Sequence, residues 1–280
     1  MMAQSLYWLF WYFAVYAVLG WCLEVCFCTI NTGQFVNRGF LNGPVCPIYG
    51  FGMVLVIVAL TGFSGNLPAL FLGGMVLTSA IELVGGWALK KLFHTSWWDY
   101  SDQPFNIGGY ICLKFSLAWG LCVVVVMRVV QPLVTGFISL IVTPLGGVLG
   151  YVLAALVLLA FLCDLAVTVK AITKMNRDLG AIDDVARLLR ESSDAVSQRL
   201  GTTALAVDEN VDGLKLDASA RMDLLRAEVA DQRHLVARRL VRAFPKMHHT
   251  RYDDALRQAR DWLQLDKGKT KKEPKEKTRP

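Results

Sequence analysis

The sequence predicts an all-α protein: a polytopic membrane helix bundle of about five spans, followed by a cytoplasmic helical, coiled-coil tail. Three observations predict it. The chain of 280 residues is 54% hydrophobic with a mean hydropathy of +0.42, outside the range of an ordinary soluble domain. Its charge is split. Up to Lys170 there are six basic residues (Arg38, Lys90, Lys91, Lys114, Arg128, Lys170) and five acids (Glu24, Glu82, Asp99, Asp102, Asp164), whereas 23 basic and 18 acidic residues fall between Ala171 and Pro280. Finally, apolar runs recur near the roughly 20 residues needed to cross about 30 Å of hydrocarbon. These observations divide the chain into a transmembrane domain (1–170), a cytoplasmic helical tail (171–266) and a disordered basic C-terminus (267–280).

The spans follow in order. Leu6 to Ile30 carries one charge, Glu24. Met1 to Ser5 lacks the positive residues of a secretion signal, so this run reads as a retained helix. The second span, Ile48 to Thr61, is short and extends back toward Val45. The third, Leu67 to Leu89, holds only Glu82. The fourth, Leu113 to Val134, has Lys114 and Arg128 near its ends, and the fifth, Leu145 to Val169, holds only Asp164. Between them Gln131 to Leu145 is apolar but bracketed by Pro132 and Pro144. Proline removes a backbone donor and clashes with the preceding turn, so this piece reads as a surface or re-entrant segment unless it joins a span. Gly73, Gly74, Gly85, Gly86, Gly146, Gly147 and Gly150 suit close helix contact.

The basic tail points the C-terminus to the cytoplasm, and five spans then put the N-terminus outside. Arg38, Lys90, Lys91 and Lys114 sit at inside loops, and Arg128 is the exception, able to snorkel. The expected location is the cytoplasmic membrane, multi-pass. Seven cysteines, mostly intramembrane, read as packing residues rather than disulfides or metal ligands.

Two inside loops carry the polar residues. The first, Asn31 to Gly50, has turn signals at Gly33, Gly39 and Gly43, then Pro44 and Pro47; its polar side chains are Asn37, Arg38 and Asn42. The second, His94 to Gly109, contains Trp97, Trp98, Asp99, Tyr100 and Asn106. A desolvated Asp99 needs a partner, and an Arg38–Asp99 pair is expected. Two readings stand side by side: interface anchoring that holds the bundle, or one cytoplasm-facing site built from both loops. The intramembrane acids Glu24, Glu82 and Asp164 are costly there, and each marks a function or a buried pair that orients its helix. The candidate cluster is Asn37, Arg38, Asn42, Glu82, Trp98, Asp99, Tyr100 and Asn106, without a catalytic or metal-binding set and without a cofactor.

The run Asn37-Arg-Gly-Phe-Leu-Asn-Gly-Pro44, then Pro47-Ile-Tyr-Gly50, resembles the hallmark of the putative ABC-transporter type IV family. Glu82, Trp98-Asp-Tyr100, Phe105-Asn-Ile and Ile111-Cys-Leu113 add to the resemblance, which covers about Gly20 to Pro132 and continues toward Asp164. It implies a multi-pass bacterial inner-membrane protein and suggests transport. It carries no substrate and no catalytic residues.

In the tail, Ile172, Met175, Leu179, Ile182, Ala186 and Leu189 follow heptad spacing, broken at Ser193, then Val196 and Leu200. A second run spans Ala218 to Ala243. Gly201 and Asp212-Gly213 separate them, which fits an antiparallel hairpin or a parallel dimer. Arg238 to Lys246 mixes cations with apolar residues and reads as solvated surface or as a face for the anionic leaflet. A short helix, Asp253 to Leu265, follows. A net charge of +6 beside anionic lipid leaves no case for nucleic acid.

Three function classes remain. The first is a permease component; without a G-x-x-x-x-G-K-[ST] motif, any ATP hydrolysis belongs to a separate ATP-binding subunit, and few spans per copy imply a homo-oligomer. The second is a membrane scaffold or sensor signalling through the tail. The third, an enzyme using Glu82, Asp99, Asp102 and His94, has no H-E-x-x-H or G-x-S-x-G support, and the chain is read as no enzyme.

Overall fold

The computed structural model describes residues 2–142, 144–145, 147–200, 209–230 and 235–270. Five apolar helical stretches lie where the apolar runs predict them. Four are long enough to cross a membrane: Leu6–Thr32, Leu67–Phe93, Leu113–Leu140 and Val148–Glu191; Pro47–Phe63 is shorter. The protein is a helical membrane bundle with a helical tail.

Local chemistry sets the helix ends. α1 is Met2–Thr32 and α2 is Pro47–Leu60, with proline at its first position, where no hydrogen bond is lost. α2 continues through a 3-10 turn, Thr61–Phe63; 14 residues at about 1.5 Å and three at about 2.0 Å rise roughly 27 Å, close to the thickness of the bilayer core. α3 is Leu67–Phe93. The Asn66 side chain accepts from Ala69 N–H at its start, and His94 ends it in a left-handed conformation (φ 54°), donating its N–H to Lys90 O. The two-residue strands β1 (Thr95–Ser96), β2 (Asn106–Ile107) and β3 (Ile111–Cys112) follow, with β2 and β3 forming an antiparallel hairpin.

The segment around Pro132 joins a span, one of the three readings the sequence leaves open. α4 (Leu113–Val125) passes through a π turn (Val126–Val130) into α5 (Gln131–Phe137) and a second π segment (Ile138–Val142). Gln131 N–H donates to Val126 O, five residues back. The widened turn moves the preceding carbonyls away from the Pro132 ring, so the helix continues and the segment becomes part of the fourth span. Partners on α1 favour this: Tyr16 Oη donates to Gln131 Oε1 at 2.7 Å, and Tyr12 Oη and Thr135 Oγ1 lie 3.0 Å apart. Trp11, Ala14 and Tyr16 bury against Val134, Ile138 and Val142. Hydrogen bonds of this kind hold helices together where lipid offers no competing partner.

α1 and α2 approach closely through reciprocal glycine contacts. A Cβ on Gly20 would fall 2.3 Å from Tyr49 Cγ, and one on Gly50 would fall 2.6 Å from Phe13. α3 and α4 repeat the device with Gly74 against Val123 and Gly120 against Phe71, supported by a Ser79–Ser116 hydrogen bond of 2.7 Å. Gly20, Gly50 and Gly120 were not among the glycines expected to serve helix contact. At the far end of α3 and α4, Arg128 Nη1 donates to Ser64 O at 2.8 Å, so its charge is capped by a turn carbonyl.

The described residues divide into two compact units. The first runs to Lys170 and adds Arg242–Met247; the second comprises the rest from Ala171 onward. α6 (Val148–Leu200) contributes to both. In the second unit α6 buries Ile172, Met175, Leu179, Ile182 and Val185, the expected heptad stripe with Val185 in place of the half-buried Ala186. Here α7 (Glu209–Ala230) packs on α9 (Asp253–Thr270), which buries Ala255, Leu256 and Ala259. α8 is Leu235–Ala243, and β4 is His248–His249. α7 runs unbroken through Asp212 and Gly213, so these residues do not separate the two runs; Gly201 lies outside the described residues. The described parts of the expected second run lie in α7 and α8; α9 runs on to Thr270, past Lys267 where the disordered C-terminus was expected to begin, and residues from 271 lie outside the described residues.

Candidate functional site

Both loops meet at one end of the first unit. Phe40 of the first loop lies 5.2 Å, edge-on, from the Trp97 ring of the second, and 6.2 Å from Phe93 at the end of α3.

The first loop is folded by its asparagines. Asn37 Oδ1 accepts from Trp21 Nε1 (2.7 Å) and from Gly39 N–H (3.0 Å), while its Nδ2 donates to Asn42 O (2.8 Å). Asp164 of α6 then clasps the loop. Its Oδ1 accepts from Asn42 N–H (3.0 Å) and Asn42 Nδ2 (2.8 Å), and its Oδ2 accepts from Gly43 N–H (2.7 Å). Thr168, one turn on, accepts from Asn42 Nδ2 at 3.1 Å. An intramembrane carboxylate is thereby satisfied by backbone and side-chain donors together, which makes Asp164 an orienting residue rather than an open charge.

Arg38 does not select Asp99. Its Nε lies 3.2 Å from Glu24 Oε2 on α1, a charge contact out of hydrogen-bond line, with each side chain 27% exposed. Sequence order hides this pairing because it depends on the loop folding back along α1. Glu24 Oε1 accepts from Tyr49 Oη at 2.6 Å. Arg38 Cζ also lies 5.8 Å from the centroid of the Phe244 ring, within cation–π range. Phe244 also packs edge-on against Trp97 at 5.1 Å, and Lys246 Nζ lies 3.5 Å from Asp102 Oδ2.

The second loop is largely self-bound. Asp99 Oδ1 accepts from Ser101 N–H (2.8 Å) and Ser101 Oγ (2.6 Å). Asn106 Nδ2 donates to Ser101 O and Gln103 O, and its Oδ1 accepts from Gly109 N–H. Gly109 has φ 74°, and a Cβ there would fall 2.6 Å from Asp99 Oδ1, so only glycine fits this turn. Trp98 Nε1 donates to Tyr110 O at 2.9 Å. These contacts fix the loop and aim Tyr100 inward, where its Oη donates to Glu82 Oε1 at 3.1 Å. Burial pushes the Tyr100 phenol well above its usual range; the Glu82 charge adds to this, and Glu24 contributes a smaller share. Tyr100 is therefore a proton donor throughout the physiological range, within the field of both carboxylates.

Five residues thus converge: Glu24, Arg38, Tyr49, Glu82 and Tyr100. Two aromatic residues four apart on α4 support the two tyrosines, Phe115 stacked on Tyr100 at 4.8 Å and Trp119 edge-on to Tyr49 at 5.8 Å. Glu82 Oε2 is buried without a hydrogen bond. Asn37, Asn42, Trp98, Asp99 and Asn106 build the loops around this cluster. Tyr49, Trp21 and Thr168 were not singled out from the sequence. Tyr49 was legible only as part of the Pro47-Ile-Tyr-Gly50 motif, since a tyrosine in an apolar run gives no sign of the carboxylate it meets.

The cluster and both loops fall inside the stretch, residues 11–169, matched by the model of the family described as Putative ABC-transporter type IV. The chain belongs to that family. The matched stretch also includes Asp164 and Thr168, the clasp on α6, and ends before the tail. No curated protein and no solved structure matches the chain.

Proposed function

We propose that the chain is the membrane-embedded permease component of a bacterial transport system. It works as a homo-oligomer with a separate ATP-binding subunit, in the cytoplasmic membrane, with the C-terminus inside and the N-terminus outside. The observation that carries this reading is the Glu24–Arg38–Tyr49 and Glu82–Tyr100 cluster. Charged and hydroxyl groups inside a bundle are expensive, and a protein retains them chiefly where a polar species or a proton is handled. The family's description supports the transport class. On this reading the chain is no enzyme, and the two loops form its cytoplasmic face, with Arg38 and the Trp98-Asp99 loop as coupling contacts.

A second reading, a membrane scaffold or sensor acting through a coiled-coil tail, is favoured by one feature. Phe244 and Lys246, both outside the family match, contact Trp97, Arg38 and Asp102. Affinity purification from native membranes in mild detergent, with mass spectrometry of stoichiometric partners, separates the two. Co-purification of an ATP-binding protein supports the permease. A homo-oligomer without an ATPase overturns it in favour of the scaffold.

A further inference from the structure

The β2–β3 hairpin buries Ile111 and Cys112 of β3 but turns Ile107 and the flanking Phe105 outward. Phe105 is 80% exposed and Ile107 60% exposed, and Leu113 just beyond the hairpin is 44% exposed. Phe105 takes a left-handed conformation (φ 53°), uncommon for a bulky side chain. Its position is fixed nonetheless: Leu113 N–H donates to Phe105 O, Asn106 staples the turn, and Trp98 Nε1 holds Tyr110 O. A rigid hairpin with an aromatic and a branched aliphatic residue at its surface suits an apolar medium better than water.

Cations surround it. Lys90 Nζ lies 5.5 Å from the ring of Tyr110, in the hairpin's own turn. Lys91 Nζ lies 4.9 Å from the Trp87 ring, itself 52% exposed, and Lys114 follows Leu113 with its Nζ 5.8 Å from the Phe115 ring. All three belong to the end of the bundle where α3 stops and α4 starts. Two acids share the loop: Asp99, which accepts from Ser101, and Asp102, 83% exposed and 3.5 Å from Lys246. With Lys246 offsetting Asp102, the three lysines outnumber the remaining carboxylate, and the net charge beside the apolar tip is positive.

We infer that the β2–β3 hairpin is a lipid-anchoring wedge: Phe105 and Ile107 enter the leaflet while Lys90, Lys91 and Lys114 bind anionic phospholipid headgroups. Aromatic and aliphatic groups seat at the interfacial depth, and lysine stems reach from there to the phosphates. Each lysine near an anionic surface strengthens binding about fivefold.

The test uses the purified full chain in detergent with added POPG or POPC, read by native mass spectrometry and thermal unfolding. The wild-type protein retains POPG over POPC and is stabilised more by POPG. The K90Q/K91Q/K114Q variant binds POPG roughly a hundredfold more weakly, and the F105S/I107S variant loses retention of both lipids. Equal stabilisation of the wild-type protein by the two lipids overturns the inference, as does unchanged POPG binding by folded variants. A measurement on the wild-type chain removes dependence on variant folding: a photoactivatable phosphatidylglycerol in nanodiscs labels the stretch from Pro104 to Lys114. Failure to label it, or cross-linking of the hairpin to a second protein chain instead, overturns the inference.

Discussion

Arg38 and Glu24 stand 3.2 Å apart, joining a loop that could be taken for a simple linker to a carboxylate inside the first span. Each is about a quarter exposed, so the pair contributes less than the roughly 3–5 kcal/mol lost when a fully buried pair is broken. Arg38→Gln and Glu24→Gln each lower the detergent melting temperature. The double variant is no worse than the poorer single, with a coupling of about 1–3 kcal/mol. Additive losses in that cycle would disprove the pairing.

Asp164→Asn keeps the size of the side chain but turns one acceptor oxygen into a donor facing Asn42 or Gly43 N–H. A charged acceptor bond contributes about 1.5–3 kcal/mol, and here several converge. Faster amide exchange across residues 37–45 is expected, with α3 unchanged. Wild-type protection of that loop would remove Asp164 as its clasp.

Tyr100→Phe retains the stack on Phe115 and removes the donor to Glu82. An acceptor left without its bond costs about 1–3 kcal/mol. Adding Glu82→Gln restores much of the loss, because a neutral amide is cheaper to leave buried than a carboxylate. The check is the melting temperature of the two singles and the double; an unrescued double would show that Glu82 serves some other contact.

Phe244→Ala removes a ring that meets both Arg38 and Trp97. Edge-on and cation–π contacts each contribute about 0.5–1.5 kcal/mol. Hydrogen exchange rises at Trp97 and in the Arg38 loop, and Phe244→Trp retains protection. Exchange confined to residues 242–247 would mean that the ring holds only its own segment.

Gly20→Ala places a methyl group 2.3 Å from Tyr49 Cγ. α1 and α2 separate and Tyr49 is displaced from Glu24, at about 1–3 kcal/mol for overpacking. Gly62→Ala, with open space around it, is the control. Equal melting temperatures for the two variants would refute the close approach.

The sequence by itself determined the class, the places of the apolar helices, the family and the irregularity of both loops. These rest on composition, run length, and the positions of glycine and proline, which act locally. It also marked Glu24, Glu82 and Asp164, because charge in an apolar run is conspicuous wherever the chain goes. It did not determine partners. Arg38 was paired with Asp99 by elimination, yet the loop folds back on α1 and offers Glu24 first. Pro132 left the following segment open between a surface piece, a re-entrant loop and part of a span; a π turn and the α1 hydroxyls carry the helix through it. Tyr49 was visible only within the Pro47-Ile-Tyr-Gly50 motif, without the carboxylate it meets. Only the tertiary structure decided these, because a hydrogen bond or ion pair needs about 3 Å between groups that lie tens of residues apart in the chain.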